Sequence, residues 1–347
     1  MNLLFMLMSA TIKDIAKLAG VSISTVSRAL NNNPRVKKGT MDKIQDIAKS
    51  LNFEFNAGAR SLSSKITGNI ALVYDAHING FEVSLYINQL FLEVRYILEQ
   101  MDMDTILLTG YDVNTGASNI KRIVHKKKVD GFLIVHDSIT NDDYKTIQAA
   151  GLPIVQLHMV PRNDISVRFD SFYSDNFMGG QMATNHLISL GCRSILTVLP
   201  FAEESKEYSQ RVLGYKKALE DSDLPFNKEL VVSVECAYLS GYNLFNSIPK
   251  IIKQVDGIFF QADIQAFGFL TAARERGIDI PGDIKVIGYD DVPMCQTVIP
   301  SLSSIHQPRK ELAELACKRI IQRINSPINL KPECRYLLPS IVLRTSS

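Results

Sequence analysis

Apolar residues recur at helical spacing in three short stretches near the start of the chain. Thr11 is a good N-cap for the first stretch, and Gly20 can end it in a left-handed conformation. Ser22 and Thr40 stand where the second and third helices would begin. Such stripes can bury one another, so the pattern predicts a compact helical bundle of about 45 residues. The residues of the stripes are Ile12, Ile15, Ala16, Ala19, Val26, Ala29, Leu30, Ile44, Ile47, Ala48 and Leu51.

From residue 69 the pattern changes to short apolar runs that alternate with helical stretches. Strands buried on both faces are continuous apolar runs, so the alternation predicts parallel α/β sheets. This part of the chain is longer than one ordinary sheet domain, which predicts two similar lobes. The expected strands are Asn69–Tyr74, Asp104–Thr109, Asp130–Val135, Pro153–Leu157, Ser194–Leu199, Asp256–Phe260 and Lys285–Tyr289. The expected helices cover residues 85–101, 141–150, 176–190, 207–221 and 264–276.

The net charge of the 347 residues is only +2, but the charges are unevenly distributed. Residues 1–66 contain ten Lys/Arg and four Asp/Glu, whereas the rest of the chain is slightly acidic. A small basic head on an acidic body suggests a module that binds a polyanion. A solvated basic face would produce the same count, so charge alone leaves both interpretations open.

The cysteines and the apolar segments restrict the class of protein further. The five cysteines are far apart and form no CxxC pair, which is typical of a reducing cytosol and argues against a disulfide framework or a zinc site. No apolar run reaches the ~20 residues that a membrane span needs. The chain starts with an apolar stretch that lacks a basic leader and a cleavage site, so we expect residues 1–10 to be a disordered or misassigned start. These observations predict a globular cytoplasmic protein.

One continuous segment of the head has the form of a DNA-binding motif. The segment is Thr11-Ile-Lys-Asp-Ile-Ala-Lys-Leu-Ala-Gly-Val-Ser-Ile-Ser-Thr-Val-Ser-Arg-Ala-Leu-Asn31, and its tight Ala-Gly-Val turn brings the second helix across the first. Short hydroxyl groups and helix N-terminal amides can hold phosphate, and an arginine can donate twice to guanine. A small helical bundle with an incidental polar face is the alternative. The residues that point outward are Ile23, Ser24, Thr25, Ser27 and Arg28.

This segment resembles the helix-turn-helix head of the lactose-repressor family, also called the galactose-repressor family. The resemblance implies a DNA-binding domain over residues 11–55. It implies that Ile23, Ser24 and Arg28 read bases. The residues that it implies as phosphate contacts are Ser22, Thr25, Ser27, Asn31 and Thr40.

The segment Asn56-Ala-Gly-Ala-Arg-Ser-Leu62 resembles the hinge helix of the same family. A short polar helix with one exposed leucine folds poorly in isolation. The resemblance therefore implies that DNA and a second subunit complete this helix. Leu62 would be wedged into a minor-groove step, and Ala59 would allow two such helices to pack closely. Phe55 stands where the family usually has proline, and a flexible linker over residues 56–67 is the alternative.

Residues 68–344 resemble the core of this family, which is similar to periplasmic sugar-binding proteins. The matching runs include Arg211-Val-Leu-Gly-Tyr215 and Val286-Ile-Gly-Tyr-Asp-Asp291. The resemblance implies a chain that crosses between two lobes three times. Lobe one would then cover about 68–165 and 307–324, and lobe two about 166–304 and 327–344.

The resemblance also implies an effector cleft between the lobes, at the carboxyl ends of the strands. Asp290 matches an aspartate that lines this cleft in sugar-binding relatives. Four other positions depart from the pattern of these relatives. His158 replaces an aspartate, Ser209 replaces an arginine, Ala262 replaces an asparagine, and Cys236 replaces an aromatic residue that stacks on the sugar. Loss of the arginine and the asparagine would remove the donors that hold sugar hydroxyls. We therefore expect an effector other than a common hexose, or a protein partner, unless a slipped alignment or other side chains supply the missing groups.

No catalytic or cofactor motif accompanies these features, so we expect a regulator without cofactor or metal rather than an enzyme. The expected regulator is a homodimer that binds palindromic operator DNA, acts as a repressor and is gated by an effector in the cleft. The same DNA-binding role under the control of a protein partner, or without any small molecule, is the alternative. An enzyme or a free solute-binding protein is disfavoured, because neither an export signal nor a catalytic motif accompanies the basic head.

Overall fold

The structure, a computed structural model, describes residues 10–30, 33–51, 53, 66–74, 85–135, 139–161, 169–201, 205–326 and 330–347. The chain forms two compact units, Met1–Thr67 and Gly68–Ser347. Asn31, Asn56, Ala59 and Leu62 lie outside the described residues, as do residues 1–9 of the expected irregular start.

The described part of the head contains three helices, which are α1 (Ile12–Ala19), α2 (Ile23–Leu30) and α3 (Lys38–Ser50). At the start of α1 the amide of Thr11 donates to the carboxylate of Asp14 at 2.9 Å. Gly20, with φ of 70°, ends the helix in the left-handed conformation that glycine adopts without strain. The apolar stripes pack into a small core, whose fully buried members are Ile15, Val26, Ala29 and Ile44.

The start of α3 differs from the expectation. Thr40 lies inside the first helical turn and does not cap it, because Lys37 is the N-cap residue. The carbonyl of Lys37 accepts hydrogen bonds from the amides of Thr40 and Met41 at 3.0 Å, so the helix begins without a side-chain cap. Farther along α3, Lys43 donates to the carbonyl of Ala19 at 3.2 Å. This bond satisfies a free carbonyl at the end of α1.

The first six-stranded sheet of the core unit consists of β1 (Asn69–Tyr74), β2 (Asp104–Thr109), β3 (Gly131–Ile134), β4 (Ile154–His158), β5 (Asp170–Ser174) and β11 (Cys334–Leu337). Its order is β11-β5-β4-β3-β1-β2, and all the pairs are parallel. The helices of this lobe are α4 (Leu85–Gln100), α5 (Asn119–His125), α6 (Asn141–Ala149) and α13 (Arg309–Asn325). Alternate residues of β1 point to opposite faces, so Leu72 packs with α4 and α13, and Val73 packs with α5 and α6.

The second six-stranded sheet consists of β6 (Ile195–Pro200), β7 (Val231–Val234), β8 (Gly257–Phe260), β9 (Lys285–Asp290), β10 (Ser303–His306) and β12 (Ser340–Val342). Its order is β12-β10-β9-β8-β6-β7, and only β12 is antiparallel to its neighbour. The longer helices of this lobe are α7 (Asn176–Ser189), α8 (Lys206–Asp221) and α12 (Asp263–Glu275). Three short helices precede β8, which are α9 (Tyr238–Tyr242), α10 (Leu244–Ser247) and α11 (Pro249–Ile252). Short 3-10 turns cover Lys228–Leu230 and Pro293–Gln296.

The fold class is confirmed, since a helical head precedes two largely parallel α/β lobes. Each expected strand lies in one of the two sheets, and each expected helix is present with shifts of one residue at most at either end. The pattern did not indicate β5, β7, β10, β11 or β12 as strands. Among the described residues, no helix is long and apolar enough to cross a membrane.

The expected lobe boundaries need two corrections. Strand β5 pairs with β4, and β11 pairs with β5, so both belong to the first sheet and not to the second lobe. The chain therefore first passes from the first lobe to the second after Ser174. Its last passage from the first lobe to the second lies between Leu337 and Ser340.

The reason for the missed strand is that β5 is polar in sequence but buried in the structure. Asp170 is 1% exposed, and its carboxylate accepts hydrogen bonds from Nε of Arg319 at 2.8 Å and from Nε of Arg323 at 2.7 Å. The backbone amide of Glu333 also donates to Asp170 at 2.8 Å. Partners that are distant in sequence thus neutralise a charge that no periodicity argument would bury.

Candidate nucleic-acid interface and ligand cleft

The outward face of α2 carries the residues that were expected to meet DNA. Val26 and Ala29 are buried in the head core, whereas Ile23, Ser24 and Arg28 are exposed. Thr25 and Ser27 are partly buried on the flanks of the helix. The structure therefore groups the expected readers on one surface.

Three hydroxyl groups gather at the N-terminus of α2. Ser22 Oγ lies 2.8 Å from Ser24 Oγ and 2.8 Å from Thr25 Oγ1, and it accepts a hydrogen bond from the amide of Thr25 at 3.1 Å. Ser22 thus caps the helix as expected. A helix N-terminus with exposed hydroxyls offers hydrogen-bond donors and a positive dipole end, which is the chemistry that holds a phosphate. Thr40 takes no part in this cluster, because it lies in the first turn of α3.

In the core unit, a buried polar cluster lies where strands of the two sheets end. Asp290 ends β9, and its carboxylate accepts a hydrogen bond from the side-chain amide of Gln307 at 2.8 Å. The guanidinium of Arg309 donates to the backbone carbonyl of Asp290. His158 ends β4 in the first sheet. The backbone of Asp290 has a positive φ of 115°, and that of His158 a positive φ of 78°. Residues in such strained conformations occur preferentially at functional sites.

Arg211 is the principal residue of this cluster that the sequence reasoning missed. It is 3% exposed, and it donates from Nε to Asn176 Oδ1 at 2.8 Å and from Nη1 to the carbonyl of Gln261 at 2.7 Å. Its guanidinium lies 3.6 Å from the ring centroid of Tyr289 and 5.0 Å from that of Tyr208. These contacts form a cation–π arrangement beside Asp290.

The expectation for Ser209 is wrong. Ser209 is exposed and donates to the carbonyl of Ser205 at 2.9 Å within its own helix, so it does not enter the cluster. The expected loss of the arginine is also wrong. Arg211, two positions after Ser209, supplies a buried guanidinium to the cluster.

Two glycines, one on α7 and one on α8, explain how Arg211 reaches the cluster. A Cβ on Gly180 would lie 2.1 Å from the carbonyl oxygen of Arg211, and a Cβ on Gly214 would lie 2.0 Å from that of Phe177. Helices α7 and α8 can approach this closely only with glycine at both positions. The contact brings Arg211 against α7, beside Asn176.

The electrostatics of the cluster are dominated by two buried carboxyl groups. Burial raises the pKa of Asp290 to about 6, although Arg211, Gln307 and Arg309 each favour its charged form. Burial, and then the neighbouring charge of Asp290, raise the pKa of Asp263 to about 8. Ser304 donates to Asp263 at 2.7 Å. Two buried carboxyl groups that repel each other in this way resist ionising together.

The first lobe contributes aromatic rings to the cluster. The rings of Tyr86 on α4 and His158 lie with their centroids 4.7 Å apart, and the guanidinium of Arg309 lies 5.7 Å from the Tyr86 ring. Burial, followed by the charge of Asp290, raises the pKa of Tyr86. Among the described residues, nothing donates to or accepts from the buried Tyr86 hydroxyl or the buried Oε1 of Gln307. Buried polar atoms of this kind are costly unless something else satisfies them.

The remaining two expected residues lie at the margin of the cluster. Cys236 is half-buried, and its thiol is near enough to Tyr208 to contribute, after burial, to the raised pKa of that tyrosine. Ala262 is buried in the apolar core and is the N-cap residue of α12, immediately before Asp263. Neither residue is the asparagine or the aromatic residue that the family resemblance led us to compare with these positions.

The first turn of α8 connects the two lobes directly. The amide of Val160, just after β4, donates to the carboxylate of Glu207 at 2.7 Å. The ammonium of Lys206 donates to the carbonyl of Pro161 at 2.8 Å. We call these two bonds the interlobe clasp. Tyr208 and Arg211 lie on the same helix, so one helix carries both the clasp and part of the polar cluster.

Comparison with known proteins agrees with both units. The family model for bacterial regulatory proteins of the lacI family matches residues 11–56, and the model for a periplasmic binding protein-like domain matches residues 184–347. A ribose operon repressor from Haemophilus influenzae is 32% identical over 340 residues, which cover 97% of this chain and 98% of the relative. The repressor PurR from Actinobacillus pleuropneumoniae is 29% identical over 338 residues, with 97% and 98% covered.

Solved structures show the same architecture. The lac repressor dimer bound to operator and the anti-inducer ONPF has a TM-score of 0.75 at 22% identity, with 98% of this chain and 99% of that chain covered. A LacI-family regulator from Enterococcus faecium with bound ribose has a TM-score of 0.69 at 26% identity, with 80% and 98% covered.

A helix-turn-helix head and a two-lobed, periplasmic-binding-protein-like core together define a DNA-binding transcription regulator. This chain belongs to the lacI family of bacterial regulatory proteins, which confirms the family that the head sequence indicated.

Proposed function

We propose that this regulator is a repressor that binds palindromic operator DNA as a homodimer, and that a small polar molecule between its lobes gates the binding. The comparison supports the dimer, because the lac repressor structure is a dimer on operator DNA. A single short head offers little surface, so a second head on a second half-site supplies affinity and specificity. We propose that the protein acts in the cytoplasm, where operator DNA lies. We assign no catalytic role to any of its residues.

The observation that carries the gating proposal is the set of unsatisfied buried polar atoms beside Asp290. Gln307 donates to Asp290 through its amide nitrogen, and no residue in the described part of the chain donates to its Oε1. The Tyr86 hydroxyl faces the same cluster from the first lobe. A ligand that donates to Oε1 of Gln307 and hydrogen-bonds with the Tyr86 hydroxyl would satisfy these two atoms. Ribose is the first candidate, because a ribose operon repressor and a ribose-bound regulator are among the relatives.

The clasp supports a way for that ligand to act on DNA binding. The closed arrangement of the lobes is the one in which Glu207 and Lys206 form the clasp with the first lobe. A ligand in contact with Arg211 and Tyr208 would change the free energy of this arrangement. Differential affinity for two lobe arrangements is what a ligand needs to shift their populations. The proposal that Asn56, Ala59 and Leu62 form a hinge helix on DNA rests on the sequence resemblance.

The test is a thermal-shift screen of the full-length protein against ribose, cellobiose, their phosphates and nucleobases. We expect at least one compound to raise Tm and to change the affinity for operator DNA in fluorescence anisotropy. Asp290→Asn and Arg211→Gln should abolish both effects, whereas Ser209→Ala, on the exposed face of α8, should retain them. A Tm increase that survives Asp290→Asn would place the ligand elsewhere. A screen without any hit, together with a co-purifying protein that alters DNA binding, would favour control by a partner.

A further inference from the structure

The exposed arc of α2 presents only two side chains that can reach far from the helix. At 100° per residue, positions 23, 27, 24 and 28 lie within about 140° of the helix circumference, opposite the buried residues. Ser24 and Ser27 are short, whereas Ile23 and Arg28 are long enough to extend into a groove. One of the two long side chains is apolar and the other is a donor.

Ile23 is exposed although every other apolar residue of α2 packs into the head. Its relative exposure is 46%, whereas Val26 and Ala29 are fully buried and Leu30 packs against the core. Ile23 therefore contributes nothing to the core that the described residues of the head form. A β-branched residue also has no advantage over alanine or glutamate at the start of a helix. Neither the core nor helix propensity accounts for an isoleucine here.

Ser24, its neighbour on the arc, already has a hydrogen-bond partner within the head. Its hydroxyl lies 2.8 Å from Ser22 Oγ, which also contacts Thr25. This bond holds the Ser24 side chain against the helix N-terminus, near the expected phosphate contacts. At the start of α2, Ile23 is therefore the long side chain that is free to extend outward.

We propose that Ile23 selects a thymine in each operator half-site by contact with its C5 methyl group. The N-terminal residues of a recognition helix face base edges in the major groove, and thymine alone presents a methyl group there. The contact removes apolar surface of both groups from water, and a cytosine or a purine at that position lacks the methyl group. This inference rests on the operator binding proposed above, and it requires neither the ligand nor the clasp.

The experiment starts from an operator selected with the full-length protein out of random duplex DNA. Each thymine of one half-site is then replaced in turn by deoxyuridine, which lacks only the methyl group, and Kd is measured by fluorescence anisotropy at fixed salt. We expect one position at which this replacement raises the Kd of the wild-type protein about fourfold, which is the factor expected for the burial of one methylene-sized group. At the other thymines the replacement should change Kd much less.

Variants connect that position to Ile23. Ile23→Ala should bind the thymine and deoxyuridine operators equally, and Ile23→Val should keep most of the difference. Leu18→Ala is the matched control, since Leu18 is 59% exposed but lies on α1, and it should keep the full difference. Because Ile23 is outside the core, its removal leaves no cavity, and the Tm of the variant checks this.

Two outcomes would overturn the proposal. If Ile23→Ala still distinguishes thymine from deoxyuridine at the sensitive position, another residue reads the methyl group. If wild-type protein responds to no single methyl deletion in a clear consensus operator, Ile23 reads no thymine, although operator binding stands. A selection that yields no consensus would overturn operator binding and this inference together.

Discussion

The carboxylate of Glu207 accepts a hydrogen bond from the backbone amide of Val160 at 2.7 Å, and this bond connects the two lobes of the core. Ser205 donates to the second oxygen of the same carboxylate at 2.9 Å, which fixes its orientation. The two bonds place the start of α8 against the segment that follows β4. Lobe opening therefore has to break a charge-assisted hydrogen bond at a defined position.

Removal of this carboxylate should make the clasp open more often. Glu207→Ala leaves the Val160 amide without its acceptor, and a net hydrogen bond of about 1 kcal/mol corresponds to roughly fivefold faster exchange. Hydrogen–deuterium exchange of the peptide that contains Val160 measures this directly. Glu220→Ala, on the exposed end of the same helix, should leave the exchange rate unchanged. Equal protection of Val160 in wild type and Glu207→Ala would contradict the clasp.

The buried cluster around Asp170 should be a major contributor to the stability of the core. Asp170→Asn leaves the buried Arg319 and the partly buried Arg323 with only part of their hydrogen bonds, which costs about 3–5 kcal/mol of unfolding free energy. Urea unfolding followed by circular dichroism measures the loss. Asp142→Asn, which breaks an exposed pair with Lys121, is the control and should change the midpoint little. If both variants shift the midpoint equally, the Asp170 cluster has no special role.

The paired carboxyl groups predict a pH dependence with a definite sign. In the folded protein the pKa of Asp263 is raised to about 8 and that of Asp290 to about 6, whereas both titrate near 3.8 when unfolded. Their contribution to stability is therefore complete below pH 3.8 and is lost as the pH rises through the folded-state values. We expect wild type to gain stability relative to Asp263→Asn when the pH falls from 8 to 5. The check is urea unfolding of both proteins at each pH, and a difference that is constant with pH would refute the shift.

Arg28 should read a base, whereas Ser27 on the flank of the same helix should contact phosphate. Arg28→Ala is expected to weaken operator binding by about 1–3 kcal/mol and to relax the preference at one position in each half-site. Ser27→Ala should weaken all DNA sequences alike. Anisotropy titrations with operator and with unrelated DNA separate the two effects. If Arg28→Ala lowers both affinities equally, Arg28 is a phosphate contact.

Local patterns were sufficient for the head and for most of the core. The stripes that include Ile15, Val26 and Ile44 are set by helical periodicity, and their burial needs no partner outside the head. The apolar strands of the core, such as Phe132 to Ile134, are recognisable because both of their faces are covered. In these elements, each residue type agrees with its final environment.

Only the tertiary structure revealed elements whose environment is made by distant residues. Strand β5 is polar in sequence, and its burial depends on Arg319 and Arg323, about 150 positions later. The sequence did not indicate the role of Arg211, because this role depends on the close approach of α7 and α8 through Gly180 and Gly214. The head motif and the alternating strands are therefore properties of the chain itself. The lobe boundaries, the buried cation and the raised carboxyl pKa values arise only when separate segments meet in a dry interior, where charge has to be paired.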